Sequence, residues 1–525
     1  MPVHKAQNWY VRKPLARGRG GIVATQNRIA GEAGARVLAA GGNAVDAAVT
    51  TGFALAAVEP WNSGLGGVGF MLIYSARENR VRVVDFGPVS PLGCKLTDYP
   101  LVGSGATTRD LFTWPSVKED RNVHGPLSFA VPGHVDGMGL ALERFGTMPF
   151  GMALAPAIEL ADEGIATDWF LTLKVATNAR ELSRYPTTRE VWMPGGFPPV
   201  TTAGAPLERL KLPRLADTMR RLAAAGRRDF YEGTVAAGIV KDVSALGGVL
   251  GSEDLRRYQA RIVDPIVTEY RGAALALAPA LTAGPSMRRA LQGLRHERFG
   301  RNGPHADAFL AYARVLRDAY SDRLAKMGEG TDERMPTSTS HLNVIDRQGN
   351  MVALTQTLLS GFGSKVVLPS SGILMNNGIM WFDPRPDSAN CIAPGKRPLT
   401  NMCPVIAIRN GKPWFAIGAS GGRKIFPAVL QILSFLADHE MTLEDAFHQP
   451  RLDASGGDTV TVDPLLPGVV RKALAQEHSV ETAEFLVYPT NYACPSAVLH
   501  DAESGENFGV ADIMSPWSGA VAEEQ

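Results

Sequence analysis

Cysteine is scarce in this chain: there are four in 525 residues, Cys94, Cys391, Cys403 and Cys494. None stands in a CxxC pair or at metal-ligand spacing, which argues against a disulfide framework and a thiolate metal site; the four read as reduced, mostly buried thiols without a role. Long apolar runs are also missing. The most apolar stretch, Ala47 to Val58, spans 12 residues between Asp46 and Glu59, where a bilayer crossing needs about 20. Net charge is nearly absent, with 53 Lys+Arg against 52 Asp+Glu, so no strong field is available to collect nucleic acid or an anionic membrane. The segment Met1 to Arg19 is basic but has no apolar core of the kind a secretory signal requires, and the expectation is a cytoplasmic protein. What is present is ordinary globular composition, 45% hydrophobic and 20% charged. It predicts a folded chain with a small-molecule partner, built as two or three domains or as one large sandwich.

Small apolar residues recur at helical spacing from Ile29 to Ala40 and from Ala44 to Val58, with Gly41, Gly42 and Asn43 as the break, which predicts an Ala-rich helical hairpin. Phe70 to Tyr74 and Arg80 to Phe86 read as a strand pair. The region from Gly125 to about Tyr270 is mainly helical by pattern, with Leu215 to Ala225 clearly amphipathic and a Pro/Gly-rich loop at Pro194 to Pro206. After a helix over Ala306 to Met327, the polar stretch Gly328 to Ser338 predicts an exposed, flexible loop. Thr339 to Asp346 and Met351 to Leu358 then form a strand hairpin about the turn Arg347 to Asn350. Strands at Val405 to Arg409 and Pro413 to Gly418, and helices at Ile425 to Ala437 and Thr442 to His448, complete a mixed α+β reading in which helices cover sheets.

Three signals compete for the chemistry. Gly64, Gly66 and Gly69 satisfy GxGxxG, but a dinucleotide fingerprint follows a strand and opens a helix, and here a helix precedes and a strand follows. These glycines read instead as places of close backbone approach. Gly418-Ala419-Ser420-Gly421-Gly422 satisfies GxSxG between a strand and a helix, the setting of a nucleophile elbow, with Asp453 or Asp458 and His478 or His500 as formal partners of Ser420. Against this hydrolase reading, the N-terminal half lacks the strand-helix alternation of a parallel sheet. The third signal is Thr339-Ser340-His341 at the head of a strand after a loop. A threonine hydroxyl is a weak nucleophile, but if the bond before it is cut, the new α-amine lies beside its own Oγ and accepts the proton. With a reference pKa of about 8, such an amine is substantially neutral near physiological pH.

The chain resembles the γ-glutamyltransferase family along almost its whole length. The resemblance rests on Val23-Ala24-Thr25, Gly41 to Ala48, Val58-Glu59-Pro60 with Ser63 to Gly67, and Val131-Pro132-Gly133. It continues through Arg228 to Gly233, Phe362 to Val366, Gly372 to Asn377 and Lys396 to Leu399. It implies a four-layer αββα N-terminal nucleophile hydrolase sandwich and a zymogen that cuts itself between Ser338 and Thr339. Residues 1–338 would then be a large fragment and 339–525 a small catalytic one, held together as a heterodimer that could pair again into a dimer of heterodimers. By position, Thr357 matches the threonine that orients the nucleophile, Gly421 and Gly422 match the oxyanion glycines, and Thr400 and Asn401 fall where the family contacts the α-carboxylate of a glutamyl group.

The same comparison shows departures. Where family members hold the glutamyl zwitterion with an Arg and with Asn, Gln and Asp side chains, this chain has Gly87, Leu359, Gly378 and Trp381. An unpaired, desolvated zwitterion is unfavourable by several kcal/mol on the order of magnitude. The expectation is therefore an amide hydrolase or acyltransferase that takes a small non-glutamyl acyl-amide through an acyl-enzyme on Thr339, with Leu359 and Trp381 in an apolar acyl pocket and no cofactor or metal. The alternatives are true γ-glutamyl transfer or glutathione hydrolysis, an unprocessed binding relative, and a Ser420 hydrolase.

Overall fold

Asn43 does the work of starting the most deeply buried helix. Its side chain accepts from the N–H groups of Val45 and Asp46, while the Asp46 carboxylate accepts from the Asn43 N–H, a reciprocal box that satisfies helix-end donors. Helix α2 (Ala44–Val58) has all of its residues buried, which its Ala-rich composition permits because small side chains let it lie close to neighbours on every side. It packs on α1 (Arg28–Ala39) and, on the far side, on α4 (Phe150–Glu163), with α3 (His134–Phe145) alongside. The computed structural model describes residues 11–103, 114–300, 303–327, 337–455, 458–483 and 493–524.

These helices cover one face of an antiparallel sheet. Its strands are β2 (Ile22–Thr25), β3 (Val68–Ser75), β4 (Arg80–Phe86), β5 (Arg261–Val263), β8 (Thr337–Ile345), β9 (Met351–Ser360) and β14 (Gly519–Ala522), in the order β14-β2-β8-β9-β3-β4-β5. A second antiparallel sheet holds β1 (Ala16–Gly18), β6 (Ile266–Tyr270), β7 (Ala273–Leu277), β10 (Val405–Arg409), β11 (Lys412–Ser420), β12 (Cys494–Asp501) and β13 (Glu506–Ala511), in the order β1-β13-β12-β11-β10-β7-β6. Helices Gly284–Leu294, α5 (Ala306–Met327) and α6 (Ile425–Ala437) cover its outer face. Alternation along β8 shows how the layers meet. Leu342 and Val344 join the apolar cluster of α1 to α4, whereas His341 turns to the other sheet, where Gly418 leaves room for its ring. Ile22, Val68, Met351, Ile406 and Val498 close the interior between the sheets. The result is the expected αββα sandwich.

The helical hairpin, the strand pair after it and the hairpin around Arg347 to Asn350 stand where the sequence pattern predicts, β8 beginning two residues early at Thr337. The glycines of the GxGxxG run serve close approach: a Cβ on Gly66 would lie 2.3 Å from the Leu374 carbonyl oxygen, and one on Gly69 would lie 2.3 Å from that of Thr355. Two readings need correction. The region read as mainly helical to Tyr270 also contributes β5 and β6, the edge strands of the two sheets, and the three C-terminal strands β12 to β14 carry no clear local signal. The edge strands β5, β6 and β14 are short and pair on one side only, whereas β12 and β13 lie inside their sheet with partners on both sides; in each case the pairing comes from neighbouring strands. Most of the stretch expected to be an exposed loop, 328–336, lies outside the described residues.

Candidate active site

The hairpin β8–β9 loses its register where Thr339 stands. Thr337 faces Ser360 and Ser338 faces Leu359, but Ser340 faces Gln356, so the pair Thr357 and Leu358 lies opposite the single residue Thr339. A bulge of this kind re-aims a side chain at the rim of a sheet. Here the Thr339 hydroxyl donates to Thr357 Oγ1 at 3.1 Å, and Thr357 Oγ1 also accepts from the Leu359 N–H at 2.7 Å. Thr339 is 6% exposed, which leaves its hydroxyl shielded from bulk water. Leu359 holds φ at +88°, a conformation that is strained for a branched residue and that tends to collect at ligand sites.

From the facing sheet, β11 delivers Ser420 and the turn Gly421-Gly422. Gly421 has φ +134° and Gly422 φ +56°, and a Cβ on Gly421 would lie 2.7 Å from Ala493 Cα. The turn thus requires glycine. Neither glycine N–H finds a backbone acceptor among the described turn and loop bonds, the state a donor pair needs to receive a developing oxyanion. Gln26, which the sequence pattern did not single out, joins the two sheets at this level: its amide nitrogen donates to Ser420 Oγ, and its Oε1 accepts from the His341 N–H at 3.3 Å. The His341 ring is committed to Thr355 at 2.8 Å and Asn343 at 3.2 Å, and burial pushes its pKa down to about 3. It is a neutral structural group.

These contacts remove the elbow reading of Ser420. Its sheet is antiparallel, its hydroxyl is bound by Gln26, and the formal partners are engaged elsewhere: Asp453 with Ser455, Asp458 and His478 with Arg317, His500 with Asn507.

Leu359 and Trp381 belong to one apolar cluster with Val68, Phe70, Met380 and Met402. The two glycines that the family resemblance sets where polar anchors were expected are closed by neighbours: a Cβ on Gly87 would lie 2.9 Å from Phe70 Cζ, and one on Gly378 would lie 2.6 Å from Ala130 Cβ. Thr400 is spent on the backbone, its hydroxyl donating to the Leu281 carbonyl at 3.0 Å. Asn401 differs, because its Nδ2 is buried without a partner, as is the Trp381 Nε1. Arg323 on α5 pins this loop. It donates to the carbonyls of Thr282 at 2.8 Å and Thr400, and to Asn401 Oδ1 at 3.3 Å, and its burial lowers its pKa to about 10. Among the described residues no group of three or more His, Cys, Asp or Glu is gathered for a metal, and no helix is long and apolar enough to cross a membrane.

The sequence matches the family model described as Gamma-glutamyltranspeptidase over residues 30–338 and 325–487. The chain belongs to the gamma-glutamyltranspeptidase family. Among curated relatives, the Acylase ACY 1 proenzyme of Pseudomonas sp. (strain SE83) is 32% identical over 521 residues, covering 91% of this chain and 90% of that protein. The Glutathione hydrolase proenzyme of Escherichia coli (strain K12) is 30% identical over 493 residues, covering 83% and 81%. In fold, the crystal structure of cephalosporin acylase from Bacillus halodurans superposes with a TM-score of 0.86 over 100% of both chains at 23% identity. The protein is thus an amidohydrolase or acyltransferase of this family.

Proposed function

We propose that this protein cuts itself between Ser338 and Thr339 and that the freed Thr339 hydrolyses or transfers a small, non-glutamyl acyl group from an amide. The observation that carries the reading is that the Thr339 hydroxyl is held by Thr357 while Gln26 ties Ser420, beside the strained double-glycine turn, to His341, two residues beyond Thr339. Chemically, the α-amine of Thr339 takes the proton as Oγ attacks the amide carbonyl carbon. The oxyanion receives the N–H groups of Gly421 and Gly422, and the amine leaves with the proton. Water, activated by the same α-amine, then attacks the Oγ ester, releasing the acid and restoring the hydroxyl; an amine in place of water gives transfer.

Two observations support a non-glutamyl substrate. A side chain at Gly87 or Gly378 would collide with Phe70 or Ala130, and Leu359, Met380 and Trp381 are gathered in one buried apolar cluster. The relative named an acylase points the same way. Asn401 Nδ2 and Trp381 Nε1 are buried donors without acceptors, so an acyl chain carrying an acceptor atom fits better than a bare alkane, since each orphaned donor is unfavourable by about 1–3 kcal/mol.

Intact mass and a denaturing gel of the purified protein beside Thr339→Ala test the first step. The wild type should give fragments of roughly 36 and 20 kDa, in proportion to chain length, and the variant should stay whole. Wild-type protein that remains a single chain, or a Thr339→Ala variant that is still cut, refutes the reading.

A further inference from the structure

The face of β8 opposite the Thr339 hydroxyl carries a second set of contacts that neither the oxyanion turn nor the acyl pocket uses. Ser340, the first residue back in register after the bulge, faces the helix layer. Its Oγ accepts from the Ser63 hydroxyl at 3.0 Å. Ser63 Oγ in turn accepts from Gln356 Nε2 at 3.0 Å, and the same amide nitrogen donates to the Gly52 carbonyl on α2 at 3.0 Å. Gln356 Oε1 is 2.9 Å from His134 Nε2, and because a carbonyl oxygen only accepts, Nε2 carries the hydrogen. Ser63, Gln356, His134 and Ser340 are all 0% exposed.

Every donor in this chain therefore points one way, from His134 through Gln356 and Ser63 to Ser340. A chain of aligned hydrogen bonds in a dry interior reinforces itself. The Phe53 and Phe86 rings meet the His134 ring in edge-on geometry at centroid distances of 5.4 and 6.3 Å, and burial lowers its pKa to about 4, so the ring is neutral near physiological pH with its hydrogen on Nε2. Gln356 is also the cross-strand partner of Ser340, so the two residues that share the Ser63 hydroxyl are the pair that closes the ladder immediately beside the break in register.

We infer that Ser63, Gln356 and His134 are positioning residues for self-cleavage: they clamp Ser340 so that the bulge presents the Ser338 carbonyl carbon to Thr339 Oγ. The inference rests on the proposed cut at that bond. In the step they serve, Oγ attacks the Ser338 carbonyl carbon, closing a five-membered ring, and the Oγ proton passes to the Thr339 nitrogen as the C–N bond breaks. The product is an ester on Oγ with a free α-amine. Water then hydrolyses the ester, leaving a carboxylate on Ser338 and the hydroxyl on Thr339. Ring closure demands that the backbone at Thr339 stay within a narrow range, and a slip of the ladder toward regular pairing would remove the bulge. After the cut Thr339 is a chain end held by Thr357, and the demand on Ser340 relaxes.

The test is the first-order rate at which freshly made full-length chain disappears, read on denaturing gels beside the melting temperature, for the wild type, Ser63→Ala and Ser63→Thr. Ser63→Ala should slow cleavage about five- to tenfold, the effect of losing one buried hydrogen bond at the reacting geometry, with a melting temperature within a few degrees of the wild type. Ser63→Thr keeps the hydroxyl and should restore the rate. A Ser63→Ala chain cut as fast as the wild type overturns the clamp while leaving the cut itself established. A loss of rate that tracks the loss in melting temperature and is not rescued by threonine also overturns it, in favour of a packing role. A wild type that is never cut overturns both the clamp and the proposed function.

Discussion

Replacing Gly421 by alanine places a methyl group where none fits. Its Cβ would lie 2.7 Å from Ala493 Cα and 2.9 Å from Ala493 Cβ, at a φ of +134°, whereas carbon atoms in contact rest about 3.5–4.0 Å apart. The turn must therefore retreat by about 1 Å or leave this φ, and holding an L side chain there is unfavourable by about 1–3 kcal/mol. Either response carries the N–H groups of Gly421 and Gly422 away from the position an oxyanion would take opposite Thr339. Losing one such donor lowers kcat by about 10²–10³, or about 3–4 kcal/mol of transition-state stabilisation. Steady-state hydrolysis of an acyl p-nitroanilide, with kcat and KM resolved, should show kcat down about a hundredfold and KM within about threefold, because the ground-state carbonyl carries little of the developing charge. Ser420→Ala, one residue earlier, removes only an acceptor for Gln26 and should keep kcat within about tenfold. A folded, processed Gly421→Ala enzyme with kcat within about threefold of the wild type would refute the assignment of this turn to the oxyanion.

Acid should destabilise the fold through its buried histidines. His134 is held down to about 4 and His341 to about 3 by burial, so each folded-state pKa lies below the unfolded value near 6.5. The stability they contribute is complete above that value and is lost as pH falls through 4 and then 3, with a loss of about 3 kcal/mol from His134 alone by pH 4; melting temperature against pH measures it, and a flat profile from 6.5 to 4 contradicts it. Trp381→Phe deletes an indole N–H that has no partner in the protein, so stability should hold within about 1 kcal/mol while KM changes for acyl chains that carry an acceptor atom. Arg323→Met strands the carbonyls of Thr282 and Thr400, which should lower stability by about 2–4 kcal/mol and raise KM more than it lowers kcat, because the loop bearing Asn401 loosens; an unchanged KM would count against that loop as a substrate wall.

Much of the architecture was legible in the chain because it is written locally. The run Ala44 to Val58 states a buried helix by its composition and its start by Asn43, and the turn Arg347 to Asn350 between two apolar runs states the hairpin that carries Thr339. Thr357 lies 18 residues from Thr339, within that same hairpin, so its placement follows from the turn. The short strands β5, β6 and β14 were not legible, since nothing in a short, half-polar segment distinguishes it from a loop until a partner strand supplies its hydrogen bonds, and β12 and β13 take their places from partners far along the chain.

The sequence established which segments are helix and strand near Thr339, while its resemblance to the family, rather than its periodicity, singled out Thr339 and the positions Gly87, Leu359, Gly378 and Trp381. Hydrophobic period and turn chemistry act over a few residues, and a single sequence displays them. Tertiary structure decided what surrounds that threonine. Gln26 reaches Ser420 across 394 residues, Ser63 reaches Ser340 across 277, and Arg323 reaches Asn401 across 78. Such contacts form only when two sheets and their covering helices pack face to face, because a buried polar group takes its partner from whatever the packing brings within about 3 Å.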